Sequence, residues 1–171
     1  MQHLQVSASQ ARNYLAVIRP MAPGEGRLSA ELLRHDGKLI GVHITGDQLS
    51  DFLWFERAGT EYRNGDLFFR GAYGAVLQRG RRHLLWLGGE GEVQCGALTL
   101  RSESPAALLE WTPGEGALLH ALGRGRIQVR IAGCMREFLC EGEHIFSDII
   151  SHNRVQIDKT AAEWNSIYAN T

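Results

Sequence analysis

The chain has 171 residues, of which 44% are hydrophobic and 22% charged, and this composition excludes a disordered or low-complexity protein. Its 18 basic and 19 acidic side chains give a formal charge of −1, so the chain lacks the basic excess of proteins that bind nucleic-acid phosphates. We therefore expect one soluble globular domain, no nucleic-acid partner, and a core large enough to need no disulfide or metal.

Short apolar segments separated by glycines indicate strands joined by tight turns. The first candidate strand is 13–19, where apolar side chains alternate until Pro20. Residues 30–35 and 38–45 flank Asp36-Gly37, a dipeptide typical of two-residue hairpin turns. After a strand at 51–57, Asn64-Gly65 marks a second hairpin, between the segments 61–63 and 66–70.

The same pattern continues towards the C-terminus. Further strands are predicted at 75–78, 83–87, 92–94, 97–102, 107–111, 117–122, 126–132 and 137–140. Segments that recur about every 8 to 12 residues are typical of antiparallel sandwiches and barrels. We therefore predict an all-β fold, an antiparallel β-sandwich of about eleven or twelve strands with a short C-terminal helix.

The C-terminal part differs because residues 144–155 lack clean alternation. A short helix is predicted over Thr160–Tyr168, whose first residue forms a capping box with Glu163. Its apolar face, with Trp164 and Ile167, is expected to dock on a sheet or on a neighbour. The single domain would thus comprise an N-terminal extension at 1–12, the sandwich at 13–143 and a tail at 144–171.

The cysteines do not suggest a disulfide framework. Cys95, Cys134 and Cys140 are odd in number and include no C-x-x-C, which favours structural thiols over a zinc site or a disulfide. No apolar run is long enough to span a bilayer, so no membrane partner is expected. Residues 1–10 lack the basic start and apolar centre of a secretory signal, and the compartment stays open.

Motifs for catalysis are missing from the sequence. The chain has seven histidines, but the pairs His35/His43 and His144/His152 lack the close spacing of metal ligands. There is no G-x-S-x-G and no H-E-x-x-H. We expect no metal and no cofactor, and a small enzyme of unknown chemistry remains an alternative.

One local excess of positive charge is a candidate ligand surface. Arginine offers planar, bidentate donors that match the carboxylates of acidic sugars, and tryptophan can stack on sugar rings. Trp54 and Trp86 lie within apolar strands and are predicted to be core residues. The alternative interpretation is that these arginines form a charged hairpin tip, which keeps an edge strand from pairing with other molecules. The candidate ligand residues are Arg79, Arg81, Arg82, His83, Arg124, Arg126 and Trp111.

Several segments together resemble the C-terminal β-sandwich of heparinase II/III-like polysaccharide lyases. They are NYLAVIRP, MAPGEGR, LIGVHITG, DFLWFERAG, GAYGAV and LLWLGGEGEVQCGALTLRSESPAALLEW, and the likeness covers about residues 13–132. The resemblance implies an accessory domain that follows a helical toroid. The family's catalytic Tyr and His lie upstream of this domain and match no position here, so no catalytic role is transferred.

The residues and the resemblance lead to one expectation with two alternatives. We expect a noncatalytic domain associated with the binding or processing of an acidic polysaccharide, through arginine contacts to carboxylates and an aromatic platform. One alternative is a self-associating structural domain, a homo-oligomer whose open sheet face pairs with a second copy. The other is the small enzyme mentioned above.

Overall fold

The computed structural model describes residue 26 and residues 28–147, except for the side chains of residues 57 and 58. The described part contains ten strands and no helix, which confirms the all-β prediction. The strands are β1 Ser29–His35, β2 Lys38–Gly46, β3 Leu49–Asn64, β4 Leu67–Arg79, β5 Arg82–Leu87, β6 Gly91–Cys95, β7 Leu98–Ser102, β8 Ala106–Thr112, β9 Gly116–Ile131 and β10 Cys134–Ser147. The strand predicted at 13–19 and the helix predicted over Thr160–Tyr168 lie outside the described residues.

Both predicted hairpins are present. His35 pairs with Lys38 across Asp36-Gly37, whose φ angles of 48° and 75° are both positive, as a type I′ turn requires. Asn64 pairs with Leu67 in the second hairpin, where a glycine again takes positive φ. The first dipeptide identified the register of its hairpin correctly, whereas the second turn lies one residue later than predicted, at Gly65-Asp66, because Asn64 belongs to the strand and pairs with Leu67.

The described part has ten strands because some predicted segments run together as long strands. The segments at 51–57 and 61–63 form β3, those at 66–70 and 75–78 form β4, and those at 117–122 and 126–132 form β9. Glycine permits a bend without ending a strand, and β4 bends in this way. Residues 67–71 of β4 pair with β6, whereas residues 74–79 pair with β5.

The ladders join all ten described strands into one continuous sheet, and its long strands fold that sheet into two layers, here called the first and the second sheet. The first sheet has the order β1–β2–β3–β4–β5–β8–β9–β10 and uses residues 49–55 of β3, 74–79 of β4 and 116–122 of β9. In the second sheet, β6 pairs with residues 67–71 of β4, and β7 pairs with residues 127–131 of β9. The two short strands β6 and β7 also pair with each other. All pairings are antiparallel, and the two sheets face each other as a sandwich. Because β10 extends to Ser147, residues 144–147 belong to the sandwich rather than to the predicted tail.

The core fills the space between the two sheets. One cluster joins Leu85 and Leu119 of the first sheet to Val93 and Ile127 of the second, and all four are fully buried. Such side chains stabilise the fold by about 1.5–3 kcal/mol each when they leave water. Trp54 of the first sheet also stacks on Phe69 of the second, with ring centroids 4.6 Å apart. The layers are thus held by apolar contact between side chains of opposite sheets.

Gly74 provides the space for this stack. It lies between Trp54 and Leu87 in the first sheet, and a β-carbon at this position would overlap the ring of Phe69. The Phe69 ring is fully buried, and side chains in a close-packed core cannot move aside without disturbing their neighbours. The small residue after the bend in β4 therefore has a packing role.

Gly74→Ala is expected to lower the free energy of unfolding by about 2 kcal/mol, the usual cost of overfilling a packed core. Urea denaturation of the full chain measures this change. In a Phe69→Leu background the same substitution should cost clearly less, because the ring edge is gone. An equal cost in both backgrounds would show that the overlap is not the cause.

Candidate functional site

Five of the seven predicted ligand residues meet at one end of the first sheet, here called the basic end. The hairpin between β4 and β5 carries the arginines and His83, which pairs with Trp111 of β8. The rings of His83 and Trp111 have centroids 5.4 Å apart. Nη2 of Arg81 donates a hydrogen bond of 2.6 Å to the carbonyl of Pro113. The residues of the basic end are Arg79, Arg81, Arg82, His83 and Trp111.

Carboxylates neutralise two of the three arginines at the basic end. Arg79 binds Oδ2 of the buried Asp51 at 3.0 Å, and Arg82 binds Oε1 of Glu110 at 2.8 Å. The second oxygen of Asp51 has no hydrogen-bond partner among the described residues. No carboxylate within the described ranges pairs with Arg81. Arg81 therefore carries the cationic charge that is left for a ligand.

The basic end uses both surfaces of the first sheet. His83 lies two residues before Leu85 of the core, so its side chain and that of Trp111 are directed between the sheets, at their open end. Arg79 and Arg82 occupy the alternate positions and lie on the outward surface. The rings and the paired guanidinium groups are therefore separated by the thickness of the sheet.

The structure does not bring Arg124 and Arg126 to the basic end. They lie in β9 beyond residues 116–122, which pair with β8. Both are exposed, Arg124 lies 3.7 Å from Glu141, and Arg126 lies 3.9 Å from Glu137. Arg126 also lines a polar depression of about 160 Å³ on the second sheet. These two arginines form a separate, solvated and largely neutralised group.

Sequence reasoning missed a second depression, on the outward surface of the first sheet. It has a volume of about 140 Å³, and its lining includes Trp86, Leu108, His120, Leu122 and Glu143. The prediction that Trp86 is a core residue is wrong: it is 38% exposed, whereas its neighbours in the chain, Leu85 and Leu87, are buried. Strict alternation along β5 was the available signal, and it places Trp86 opposite those leucines.

The cysteines are structural in the part of the chain described. All three are free, and Cys95 accepts a 3.1 Å hydrogen bond from Nε2 of Gln78. Burial raises the pKa of Cys95 and that of Cys140, which keeps both thiols protonated and unreactive. Among the described residues, no three His, Cys, Asp or Glu side chains come together as a metal site would require. Nor does the described region include a helix with the length and apolar character needed to cross a membrane.

Two histidines are buried enough for their pKa values to fall. His43 stacks on Phe52 at 3.8 Å and hydrogen-bonds to Ser50 at 3.0 Å, and burial lowers its pKa. Burial also lowers the pKa of His120, although nearby Glu110 and Glu143 act in the opposite direction. Both imidazoles are therefore held in the neutral form more strongly than a histidine in water.

Comparison with family models, curated proteins and solved structures finds no match to this chain. The function is therefore inferred from the geometry of the basic end and of the outward surface. These two places differ in chemistry, because the basic end carries a cation and two aromatic rings, whereas the outward depression is lined mainly by apolar side chains.

The lowered pKa of His120 predicts a loss of stability in acid. The unfolded chain takes up protons near the usual pKa of about 6.5, whereas folded His120 resists protonation. The free energy of unfolding should thus fall as the pH decreases through about 6.5, and His120→Gln should reduce this fall. Denaturation curves between pH 7.5 and about pH 5 test it, with the half-exposed His35→Gln as control. A slope equal to that of the unmodified chain in His120→Gln would contradict the assignment.

Proposed function

We propose that this chain is a noncatalytic β-sandwich domain that binds an acidic polysaccharide at the basic end. The observation that supports the proposal is the meeting of two sequence-distant turns, in which Arg81 contacts Pro113 and His83 contacts Trp111. A cation with no carboxylate partner among the described residues therefore lies at the same end of the sheet as two aromatic rings. Sugars that carry carboxylates are recognised by this combination of groups.

Arg81 supplies the charged contact. Its guanidinium group has five N–H donors, and the carbonyl of Pro113 accepts a hydrogen bond from one nitrogen without neutralising the charge. The remaining donors are suited to a bidentate contact with the carboxylate of a uronic acid. Trp111 is only partly buried against the core, and its accessible surface offers an apolar contact to a pyranose ring.

The ion pairs of the other charged groups at the basic end favour a binding role over a catalytic one. Asp51 and Glu110 are the carboxylates nearest the arginines, and Arg79 and Arg82 bind them. Both carboxylates are thus engaged by arginine side chains of the same chain rather than presented to a ligand. The proposal also agrees with the accessory role that the resemblance to heparinase II/III-like lyases implies.

Arg81→Ala is expected to weaken binding of a tetrameric galacturonate oligosaccharide about 10-fold, the effect of losing one charge-assisted contact. Arg81→Lys keeps the charge but loses the planar fork, so it should show an intermediate affinity. Isothermal titration calorimetry at low salt measures each dissociation constant. Arg130→Ala removes an exposed arginine from the second sheet and is the matched control.

No binding of the oligosaccharide at millimolar concentration would refute the proposal. An equal loss in Arg81→Ala and Arg130→Ala would also refute it, because the attraction would then come from charge in general. A neutral glucan of the same length should bind much more weakly than the galacturonate oligomer. Equal affinity for the two would remove the role of the carboxylate.

A further inference from the structure

Two apolar side chains of the first sheet are buried without belonging to the core. Of the buried apolar residues in the described part of the chain, only Val42, Phe68 and Ala75 lie outside the core cluster. On the second sheet, the guanidinium group of Arg63 covers the ring of Phe68 at 4.7 Å from its centroid. Val42 and Ala75 are 3% and 6% exposed, and the core does not account for their burial. Another part of the protein must therefore cover them.

Val42 and Ala75 lie on the outward surface of the first sheet, on either side of Leu53. Leu53 pairs directly with both, and it faces outward because the next residue, Trp54, belongs to the core. Asp51 lies on the same surface two residues earlier, and its side chain is only 7% exposed. We call these residues, Val42, Asp51, Leu53 and Ala75, the covered strip.

The cover of this strip is narrow. Leu32 pairs with Val42 and Trp86 pairs with Ala75, yet these two flanking side chains are 48% and 38% exposed. A β-carbon at Gly88 would overlap the ring of Trp86, so this ring lies along β5 rather than over Ala75. The strip thus spans two strand spacings, about 10 Å, which is the width of one polypeptide segment. A second copy packed on this surface would bury the two flanking side chains as well.

The described strands do not supply the cover. Their contacts join neighbours within a sheet or strands that face each other across the core. The turns between the described strands are short and lie at the strand ends. The cover therefore comes from the chain before or after the described residues.

The chain enters the described part at one end of the covered strip. Gly26 lies against the turn between β2 and β3, where a β-carbon on it would overlap the carboxylate of Asp47. From there, Asp51 is four residues along β3, or about 13 Å. The described chain ends instead at Ser147 of β10, which is five strands from β3, or about 24 Å. The preceding segment is therefore the nearer of the two.

We propose that residues 13–19 lie on the covered strip as a third layer over the first sheet. This segment contains the apolar run Tyr14 to Ile18, which provides the surface that Val42 and Ala75 require. Residues 20–25 connect it to Gly26 and reach roughly 20 Å when extended, more than the distance to Asp51. The inference goes beyond polysaccharide binding and does not depend on it.

The charge of the covered strip fits the same segment. Arg79 binds one oxygen of Asp51, and the other oxygen is buried with no hydrogen-bond partner among the described residues. A carboxylate oxygen shielded from water requires a donor. Arg12 and Arg19 flank the apolar run, and Arg19 is at the end that connects to Gly26. The segment therefore brings both an apolar surface and a cationic donor to the strip.

Photochemical cross-linking of the full chain tests which segment covers the strip. Tyr14 is replaced by p-benzoylphenylalanine, and the same replacement of Tyr168 in the C-terminal segment is the matched control. After irradiation, mass spectrometry should find position 14 joined to residues 42–54 or 73–77 of the same chain. Position 168 should not be joined to these residues. Cross-links to the strip from position 168 alone, or from position 14 of a second copy, would overturn the proposal.

Substitutions in the full chain test whether the contact stabilises the fold. Leu15→Asp combined with Ile18→Asp changes one residue on each side of the alternating segment. This double variant should lower the urea midpoint by about 1 M, because charged groups replace buried apolar ones. Leu4→Asp with Val6→Asp makes the same change of charge outside residues 13–19 and should leave the midpoint unchanged. Equal midpoints for the two double variants would contradict the proposal.

Discussion

The architecture depends on apolar contact between two sheets that share their longest strands. Because β4 and β9 each pass from one sheet to the other, the sheets cannot separate without breaking the ladders that join them. The stack of Trp54 on Phe69 lies at one such passage, and Gly74 leaves the volume that it needs. The path of the long strands and the packing of the core therefore depend on each other, and a substitution that disturbs one also disturbs the other.

This constraint also determines which side chains reach the surface. Once the core cluster occupies one side of each sheet, every alternate residue must lie on the other side. On the second sheet those residues are mostly charged, and on the first sheet they are mostly apolar. The difference lies in residues that the core does not use, so core packing does not explain it.

Ion pairs link the two candidate functional regions. The sequence predicts Arg79 and Arg82 as ligand residues because they lie beside a short basic turn. In the structure, each of them binds a carboxylate on the outward surface of the first sheet. Only Arg81, which lies in the turn itself, keeps its charge free of carboxylates among the described residues. Local charge density along the chain thus overstated the positive charge of the basic end, because the neutralising groups come from β3 and β8.

The strand pattern, the turn dipeptides and the proximity of Arg79, Arg81 and Arg82 follow from short-range rules and could be read from the sequence. Alternation and turn chemistry act over a few residues, so they predict most strands and both hairpins. They do not tell whether a glycine ends a strand or bends it, and the joined strands β3, β4 and β9 therefore appeared as separate pieces. The same limit explains Trp86, whose apolar neighbours suggested the core although its alternation places it outside.

The sequence by itself determined the all-β class, the presence of both hairpins with the register of the first, and the absence of a strong overall charge. Only the tertiary structure decided that Trp111 meets His83, that Asp51 and Glu110 neutralise two arginines, and that one outward surface is apolar across eight strands. The physical reason is that these contacts join neighbouring strands of the first sheet whose residues lie far apart in the chain. Their partners are selected by how the sheets close around the core, which no local pattern specifies.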